Sequence, residues 1–154
     1  MDLSSINKVF FIGIGGIGMS ALANYFLQKN IPVYGYDREG SVITENLKNL
    51  GSNIIHNYND FNITEFKSDI NSTLVIYTPA LSKEHPLLTK FKEDEFKVFK
   101  RAEVLQKISV NSKCIAVAGT HGKTTTSAIL AHILKVSDLN FSAFVGGIMV
   151  NYNS

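Results

Sequence analysis

Hydrophobic residues along this chain alternate between short continuous runs and helical stripes. The run at residues 8–14 is almost entirely apolar, as expected for a strand buried on both faces of a sheet. A stripe with the spacing i, i+3, i+4, i+7 follows it and predicts one helix that ends near Lys29 and Asn30. The stripe consists of Met19, Leu22, Ala23 and Phe26. The two patterns together predict a strand that leads into a helix.

The same alternation continues along the chain. Further strands are predicted at residues 32–36, 53–55, 73–77, 97–99, 114–118 and 141–145, and further helices at residues 41–49, 63–67, 86–95, 102–108 and 127–134. Alternating strands and helices are typical of a mostly parallel sheet covered by helices. We therefore expect an α/β fold, with a Rossmann-like, mostly parallel sheet that carries helices on both faces.

Composition and charge narrow the class of protein. Apolar residues make up 45% of the 154 residues, which is enough for a buried core. The formal net charge is +2, so charge indicates neither a nucleic-acid partner nor an anionic membrane. The apolar stretch at residues 9–22 is interrupted by glycines and is too short to cross a bilayer. The one cysteine, Cys114, suits a reducing cytoplasm and is expected to be a buried strand residue.

A glycine turn with the sequence G-T-H-G-K-T-T at residues 119–125 stands between a predicted strand and a predicted helix. Glycines let the backbone approach a phosphate, and the helix start offers free N–H groups. Lys123 adds a positive charge, and the Thr124 hydroxyl can bind Mg²⁺. Val117 stands where the general P-loop has its first glycine, so we interpret the turn as a shortened P-loop for a nucleoside triphosphate. The alternative is an ordinary turn followed by a solvated lysine.

A second glycine turn, G-I-G-G-I-G at residues 13–18, follows the first predicted strand and opens the first helix. In that context G-x-G-x-x-G predicts a site for the diphosphate of a nucleotide. Asp37 ends the second predicted strand, where a carboxylate can accept hydrogen bonds from ribose hydroxyls. The alternative is that the glycines only allow the strand and helix to pack closely and that Asp37 is a turn residue.

Two phosphate-type turns in one chain favour a particular class of enzyme. A dehydrogenase uses the first turn only, and a simple nucleoside triphosphatase uses the second only. An enzyme that binds a nucleotide-linked substrate and also spends ATP uses both. The remaining histidines, His56, His85 and His132, lack metal-ligand spacing, so surface or packing roles are expected for them.

Several stretches of the chain resemble the Mur ligases of bacterial cell-wall synthesis. They are V-F-F-I-G-I-G-G-I-G-M-S-A-L-A at 9–23, Y-G-Y-D at 34–37, Y-T-P-A-L at 77–81, R-A-E-V-L at 101–105, A-V-A-G-T-H-G-K-T-T-T at 116–126 and V-G-G at 145–147. With its histidine, the motif G-T-H-G-K-T-T resembles that of the branch that adds L-alanine, or that of the related branch that reattaches recycled murein peptide. The Y-T-P-A-L segment favours the first of these.

The resemblance implies a three-domain ligase, of which residues 1–110 are a Rossmann-like domain that binds the UDP-sugar. Residues 111–154 are then the incomplete start of a central P-loop α/β domain that binds ATP. The implied substrates are UDP-N-acetylmuramate and L-alanine, with ATP and Mg²⁺, and the implied reaction passes through an acyl phosphate. The resemblance implies neither a nucleic-acid nor a membrane partner, and it leaves the oligomeric state open.

Site residues carried over from this family fall into two sets. The substrate-binding set is Gly15, Gly16, Ile17, Gly18, Asp37, Thr78, Pro79, Ala80 and Arg101. The ATP-binding set is Gly119, Thr120, His121, Gly122, Lys123, Thr124 and Thr125, with Lys123 and His121 as catalytic candidates and Thr124 as metal ligand. His121 could contact a ligand or only orient the turn. We expect the chain alone to bind substrate without turnover; an NAD(P)-binding Rossmann domain is the competing interpretation.

Overall fold

The computed structural model describes residues 3–110 and 112–147. Its strands are β1 (Lys8–Ile12), β2 (Val33–Tyr36), β3 (Asn53–Ile55), β4 (Thr73–Tyr77) and β5 (Lys97–Lys100). They form one sheet with the order β3-β2-β1-β4-β5, and every neighbouring pair is parallel. The predicted α/β fold with a mostly parallel sheet is therefore confirmed.

Helices connect and follow these strands. They are α1 (Ile17–Gln28), α2 (Val42–Asn49), α3 (Thr64–Lys67), α4 (Pro86–Glu93), α5 (Arg101–Val110) and α6 (Lys123–Val136), with short 3-10 turns at Leu3–Ser5 and Tyr58–Asp60. Local signals explain where two of these helices begin. The Ser41 hydroxyl accepts the Thr44 N–H at 3.2 Å and so caps α2, and Pro86 is the first residue of α4. The buried residues of α1 are those of the predicted stripe.

The sheet is buried on both faces, as the apolar runs of its central strands predict. Side chains of β1 alternate between the two sides. Val9 and Phe11 join the cluster formed with α1, α2 and α5, and Phe10 and Ile12 join the cluster formed with α3 and α4. This alternation follows from the period of two residues in a strand. Chain order reverses between β1 and β4, which in open α/β sheets marks the crevice where ligands bind.

Two predicted strands in the later part of the chain are wrong. Residues 114–118 and 141–145 do not form strands, and Cys114 is exposed rather than buried. A strand needs a neighbour to receive its backbone hydrogen bonds, and neither segment pairs with a strand among the described residues. The helix α6 does form, although Ile129 and Ile133 on it remain 57% and 55% exposed.

The predicted division between residues 110 and 111 stays a prediction. Val110 is the last residue of α5. Residue 111 lies outside the described residues, as do residues 148–154 at the end of the predicted second unit. Within the two described ranges, no helix has the length and apolar character needed to cross a membrane.

Candidate functional site

The first glycine turn lies at the carboxyl end of β1, where the strand order reverses. Gly13 has φ of +84°, and a Cβ on it would lie 2.7 Å from Thr78 Cγ2 at the end of β4. The N–H groups of Gly13 and Ile14 donate to the Tyr36 carbonyl at 2.7 and 3.1 Å, which ties the turn to β2. Both the backbone conformation and the close neighbour therefore require glycine at position 13.

The carboxylate of Asp37 contacts this turn from the end of β2. Its Oδ2 accepts a hydrogen bond from the Gly15 N–H at 2.7 Å. A Cβ on Gly15 would lie 2.9 Å from that oxygen, so any side chain there would displace the carboxylate. The second oxygen, Oδ1, has one long contact of 3.4 Å with the Glu39 N–H. The structure thus brings Asp37 and Gly15 together and leaves one carboxylate oxygen able to accept a further hydrogen bond.

Arg101 reaches the same turn from the start of α5. Its guanidinium lies against Gly18, where an added Cβ would fall 1.5 Å from Nη1. Among the described residues, this guanidinium takes part in no ion pair or hydrogen bond. The adjacent helix α1 starts at Ile17 without a side-chain cap. A free cation beside an uncapped helix N-terminus favours a bound anion.

The residues that follow β4 border the turn as well. The Thr78 N–H donates to the Ile12 carbonyl at 3.3 Å, and the Thr78 hydroxyl accepts the Ala80 N–H at 3.4 Å. Pro79 and Ala80 are exposed beyond it. The structure therefore gathers the residues of the predicted substrate-binding set at one edge of the sheet. They are Gly15, Gly16, Ile17, Gly18, Asp37, Thr78, Pro79, Ala80 and Arg101.

His56 is part of this edge, although sequence reasoning assigned it only a surface or packing role. Its Nδ1 lies 2.8 Å from the Asp37 carbonyl oxygen, and its Nε2 lies 3.1 Å from Lys48 Nζ. The signal that could have found it is the pairing of β2 with β3. Tyr36 faces Ile55 in the parallel register, so the next residue on each strand lies at the same edge.

A cluster of three rings, those of Tyr36, Tyr58 and His85, lies at the end of β2. The ring of His85 lies 5.2 Å from that of Tyr36 and 6.2 Å from that of Tyr58. Its Nδ1 is buried without a hydrogen-bond partner among the described residues. Burial lowers the pKa of His85, so the imidazole is neutral at pH 7. Residues 3–110 and 112–147 contain no group of three His, Cys, Asp or Glu side chains arranged to hold a metal.

The second glycine turn precedes α6 and is built differently. Gly119 and Gly122 have φ of +153° and +78°, conformations that favour glycine. No side chain caps α6, which begins at Lys123. All residues from 119 to 126 are exposed, including the catalytic candidate His121. The backbone thus presents a turn and a free helix N-terminus, which are the two elements of a phosphate cradle.

Lys123 is bonded to the turn itself. Its Nζ donates to the carbonyl oxygens of Gly119 and Thr120 at 2.6 and 3.0 Å. Because an ammonium bonds more strongly to an anionic oxygen than to a carbonyl, a phosphate can replace these partners. Gly147 lies beside the same turn, since a Cβ on it would be 3.3 Å from Thr124 Cγ2. Lys123 and Thr124 therefore both lie at the exposed start of α6, beside the second turn.

A cavity of about 540 Å³ lies between the helices α1 and α2 and the segment formed by α6 and residues 139–147. Ile17 lines it from the first turn, and Gly147 lines it beside the second turn. Phe144 and Tyr25 hold the two sides together, with ring centroids 5.7 Å apart. The first turn therefore lines this cavity through Ile17, and Gly147 lines it as a neighbour of the second turn.

Residues 8–113 of this chain match the model of the Mur ligase family, catalytic domain. The UDP-N-acetylmuramate–L-alanine ligase of Parabacteroides distasonis is 49% identical over 154 residues, which is 100% of this chain and 33% of that protein. The chain thus spans about a third of the length of the curated relatives that it matches.

Solved structures share the fold. A UDP-N-acetylmuramate–alanine ligase from Thermotoga maritima is 34% identical with a TM-score of 0.79, over 94% of this chain and 33% of that one. A murein peptide ligase from Psychrobacter arcticus is 26% identical with a TM-score of 0.71, over 84% of this chain and 26% of that one.

Proposed function

The chain belongs to the Mur ligase family, and from this premise we propose that the full-length protein is an ATP-dependent ligase that joins L-alanine to the carboxylate of UDP-N-acetylmuramate. The names of the relatives and of the solved structure with the higher TM-score support this reaction. In this proposal the enzyme serves peptidoglycan precursor synthesis in the cytoplasm. Residues 1–110 form the domain that binds the UDP-sugar, and residues 111–154 begin the domain that binds ATP.

One observation carries the proposal: an acid, a cation and an uncapped helix N-terminus meet at the first glycine turn. The diphosphate of the UDP-sugar occupies the start of α1, where Gly16, Ile17 and Gly18 offer backbone N–H groups, while the N–H of Gly15 holds Asp37 at the same turn. Arg101 supplies a positive charge beside Gly18. Each group thus matches one part of a nucleoside diphosphate.

The remaining substrate-binding residues orient the same ligand. Asp37 accepts hydrogen bonds from the ribose hydroxyls through the oxygen that Gly15 leaves free. Thr78, Pro79 and Ala80 border the crevice and limit the position of the sugar. Orientation matters because the muramate carboxylate must lie in line with the γ-phosphate of ATP.

The second turn binds ATP. The backbone of Gly119, Thr120, His121 and Gly122 surrounds the β-phosphate, and Lys123 neutralises the β- and γ-phosphates. Thr125 adds a hydroxyl in the first turn of α6. His121, exposed between the two glycines, is proposed to contact a phosphate or the substrate. The hydroxyl of Thr124 is a suitable ligand for Mg²⁺, which when bound neutralises phosphate charge.

The chemistry follows from these positions. The muramate carboxylate attacks the γ-phosphorus of ATP, and the bond to ADP breaks, so an acyl phosphate and ADP form. The amine of L-alanine then attacks the acyl carbon, phosphate leaves, and the amine loses a proton. Lys123 and the backbone N–H groups stabilise the charge that develops on the transferred group, so positioning and electrostatics supply most of the rate.

Binding measurements test the proposal. Isothermal titration of the chain with UDP-N-acetylmuramate should give saturable binding, and NADH should give none at the same concentrations. Binding of NADH together with indifference to the UDP-sugar would favour the NAD(P)-binding interpretation and contradict the ligase. The chain alone should release no phosphate from ATP when L-alanine and the UDP-sugar are added; L-alanine-dependent release would refute our proposal that it only binds.

A recycling ligase is the second candidate, because a murein peptide ligase also shares the fold at 26% identity. The two reactions differ in the amine that attacks the acyl phosphate. Phosphate release by the full-length protein should depend on L-alanine and should not respond to a murein tripeptide. The opposite preference would assign the protein to the recycling branch.

A further inference from the structure

We propose that His56 is a positioning residue for the UDP-sugar. Its imidazole, in one defined tautomer, donates a hydrogen bond to the Asp37 carbonyl and so holds that peptide in place. The inference rests on the proposed function, since it concerns the same binding edge. It assigns a role to a histidine that neither turn contains.

The sheet brings the two residues together. The strands β2 and β3 end side by side, and the Asp37 N–H donates to the Ile55 carbonyl at 3.2 Å. The His56 ring then folds back, so that its Nδ1 lies 2.8 Å from the Asp37 carbonyl oxygen. Asp37 is therefore held through its N–H by Ile55, the last residue of β3, and through its carbonyl by His56, which follows that strand.

Lys48 determines which nitrogen of His56 carries the proton. Its ammonium lies 3.1 Å from Nε2 and 3.1 Å from Glu45 Oε1. An ammonium can only donate, so Nε2 must accept and therefore carries no hydrogen. In the neutral ring, Nδ1 then bears the hydrogen and donates to the Asp37 carbonyl. A chain of hydrogen bonds therefore connects Glu45, Lys48, His56 and the Asp37 carbonyl.

The consequence for ligand binding passes through the Asp37 side chain. Its Oδ2 holds the Gly15 N–H at 2.7 Å. Rotation of the Asp37 backbone would move this carboxylate away from Gly15 and from the ribose. His56 does not have to touch the substrate to affect its affinity, because it orients the residue that does.

Two substitutions separate positioning from direct contact. In His56→Asn the amide nitrogen can occupy the place of Nδ1 and still donate to the Asp37 carbonyl. In His56→Gln the amide extends to the place of Nε2, and that donor is lost. We expect His56→Asn to bind UDP-N-acetylmuramate within about twofold of the unchanged chain, and His56→Gln to bind about tenfold more weakly, which is the usual effect of one lost hydrogen bond.

Affinities are measured by isothermal titration on the whole chain, with thermal unfolding as the folding control. The reverse order of the two variants, equal affinity for all three proteins, or equal loss in both variants would each overturn the proposal. If the unchanged chain does not bind the UDP-sugar, the proposed function fails instead.

A spectroscopic test needs no ligand. The ¹⁵N chemical shifts of the His56 ring at neutral pH should show a protonated Nδ1 and a bare Nε2. In Lys48→Met, which keeps an apolar stem but removes the donor, the shifts should move toward a mixture of tautomers. A protonated Nε2 in the unchanged chain would overturn the proposal.

Discussion

The two glycine turns of this chain have the same local design and different surroundings. Each has at least one glycine with positive φ, Gly13 in the first and Gly119 and Gly122 in the second, followed by an uncapped helix start. The first follows a strand at the centre of a sheet and contacts Asp37, Thr78 and Arg101, which come from three other elements. The second follows a segment without strand structure, and its lysine bonds to the turn's own carbonyls.

This difference shows what a sheet adds to a phosphate turn. A short sequence can produce a turn, a free helix N-terminus and a nearby cation. A sheet adds groups from distant parts of the chain and holds them at fixed distances, which lowers the cost of ordering them when a ligand binds. We therefore expect the first turn to be preorganised and the second to gain order from its ligand.

The largest expected effect comes from the lysine of the second turn. Lys123→Met in the full-length protein should reduce L-alanine-dependent phosphate release about a hundred- to thousandfold, because a charge that stabilises the transferred phosphoryl group is lost. The affinity for UDP-N-acetylmuramate should not change, since that ligand uses the first turn. Lys135→Met, near the other end of α6, is the matched control and should keep its activity. A parallel loss of UDP-sugar affinity in Lys123→Met would contradict the separation of the two sites.

Two glycine substitutions compare the turns directly through stability. Gly13→Ala combines positive φ with a contact of 2.7 Å to Thr78 and should lower the free energy of unfolding by about 2–4 kcal/mol. Gly122→Ala has no neighbour closer than 4.0 Å, so only backbone strain of about 1 kcal/mol is expected. Urea unfolding measures both. Similar losses for the two variants would mean that the surroundings of the turns do not matter.

A smaller effect is expected at the acid of the first turn. Asp37→Asn keeps one acceptor oxygen but replaces the other by an amide that donates. If the amide nitrogen faces Gly15, two donors meet, and if it faces the ribose, the charged acceptor of the hydroxyl protons is lost. Affinity for UDP-N-acetylmuramate should therefore fall about tenfold. Asp60→Asn, on an exposed 3-10 turn, is the control. Unchanged titration curves for Asp37→Asn would remove Asp37 from the site.

The smallest effect concerns the opposite end of β1. The hydrogen bond from Lys8 to Asp69, with 2.9 Å between Nζ and Oδ2, and the charge of that ammonium lower the pKa of Asp69 below its ordinary value of 3.8. Because the pKa of Asp69 is lower in the folded chain than in the unfolded chain, the contact stabilises the fold at pH values above the unfolded-state pKa. This stabilisation is lost as the pH falls through the folded-state pKa. Asp69→Asn should therefore unfold slightly more easily at pH 7, and the difference should disappear at about pH 2. A difference that persists in acid would contradict this cause.

Prediction from sequence succeeded where the signal is local. The stripe of Met19, Leu22, Ala23 and Phe26 identified the buried face of α1, and β3 and β4 were predicted with the bounds that the structure has. Such patterns depend on burial of one face of one element. The strand predicted at 114–118 failed because an apolar run favours a strand only where a neighbour can pair with it.

The sequence by itself determined the two turns, the helices and the central strands, since backbone conformation and side-chain periodicity act over a few residues. Tertiary structure alone decided that Arg101 lies on Gly18, that His56 bonds to Asp37, and that one turn is held by a sheet while the other is not. Those contacts join residues far apart in the chain. They depend on strand order and register, which are set by the packing of the whole sheet.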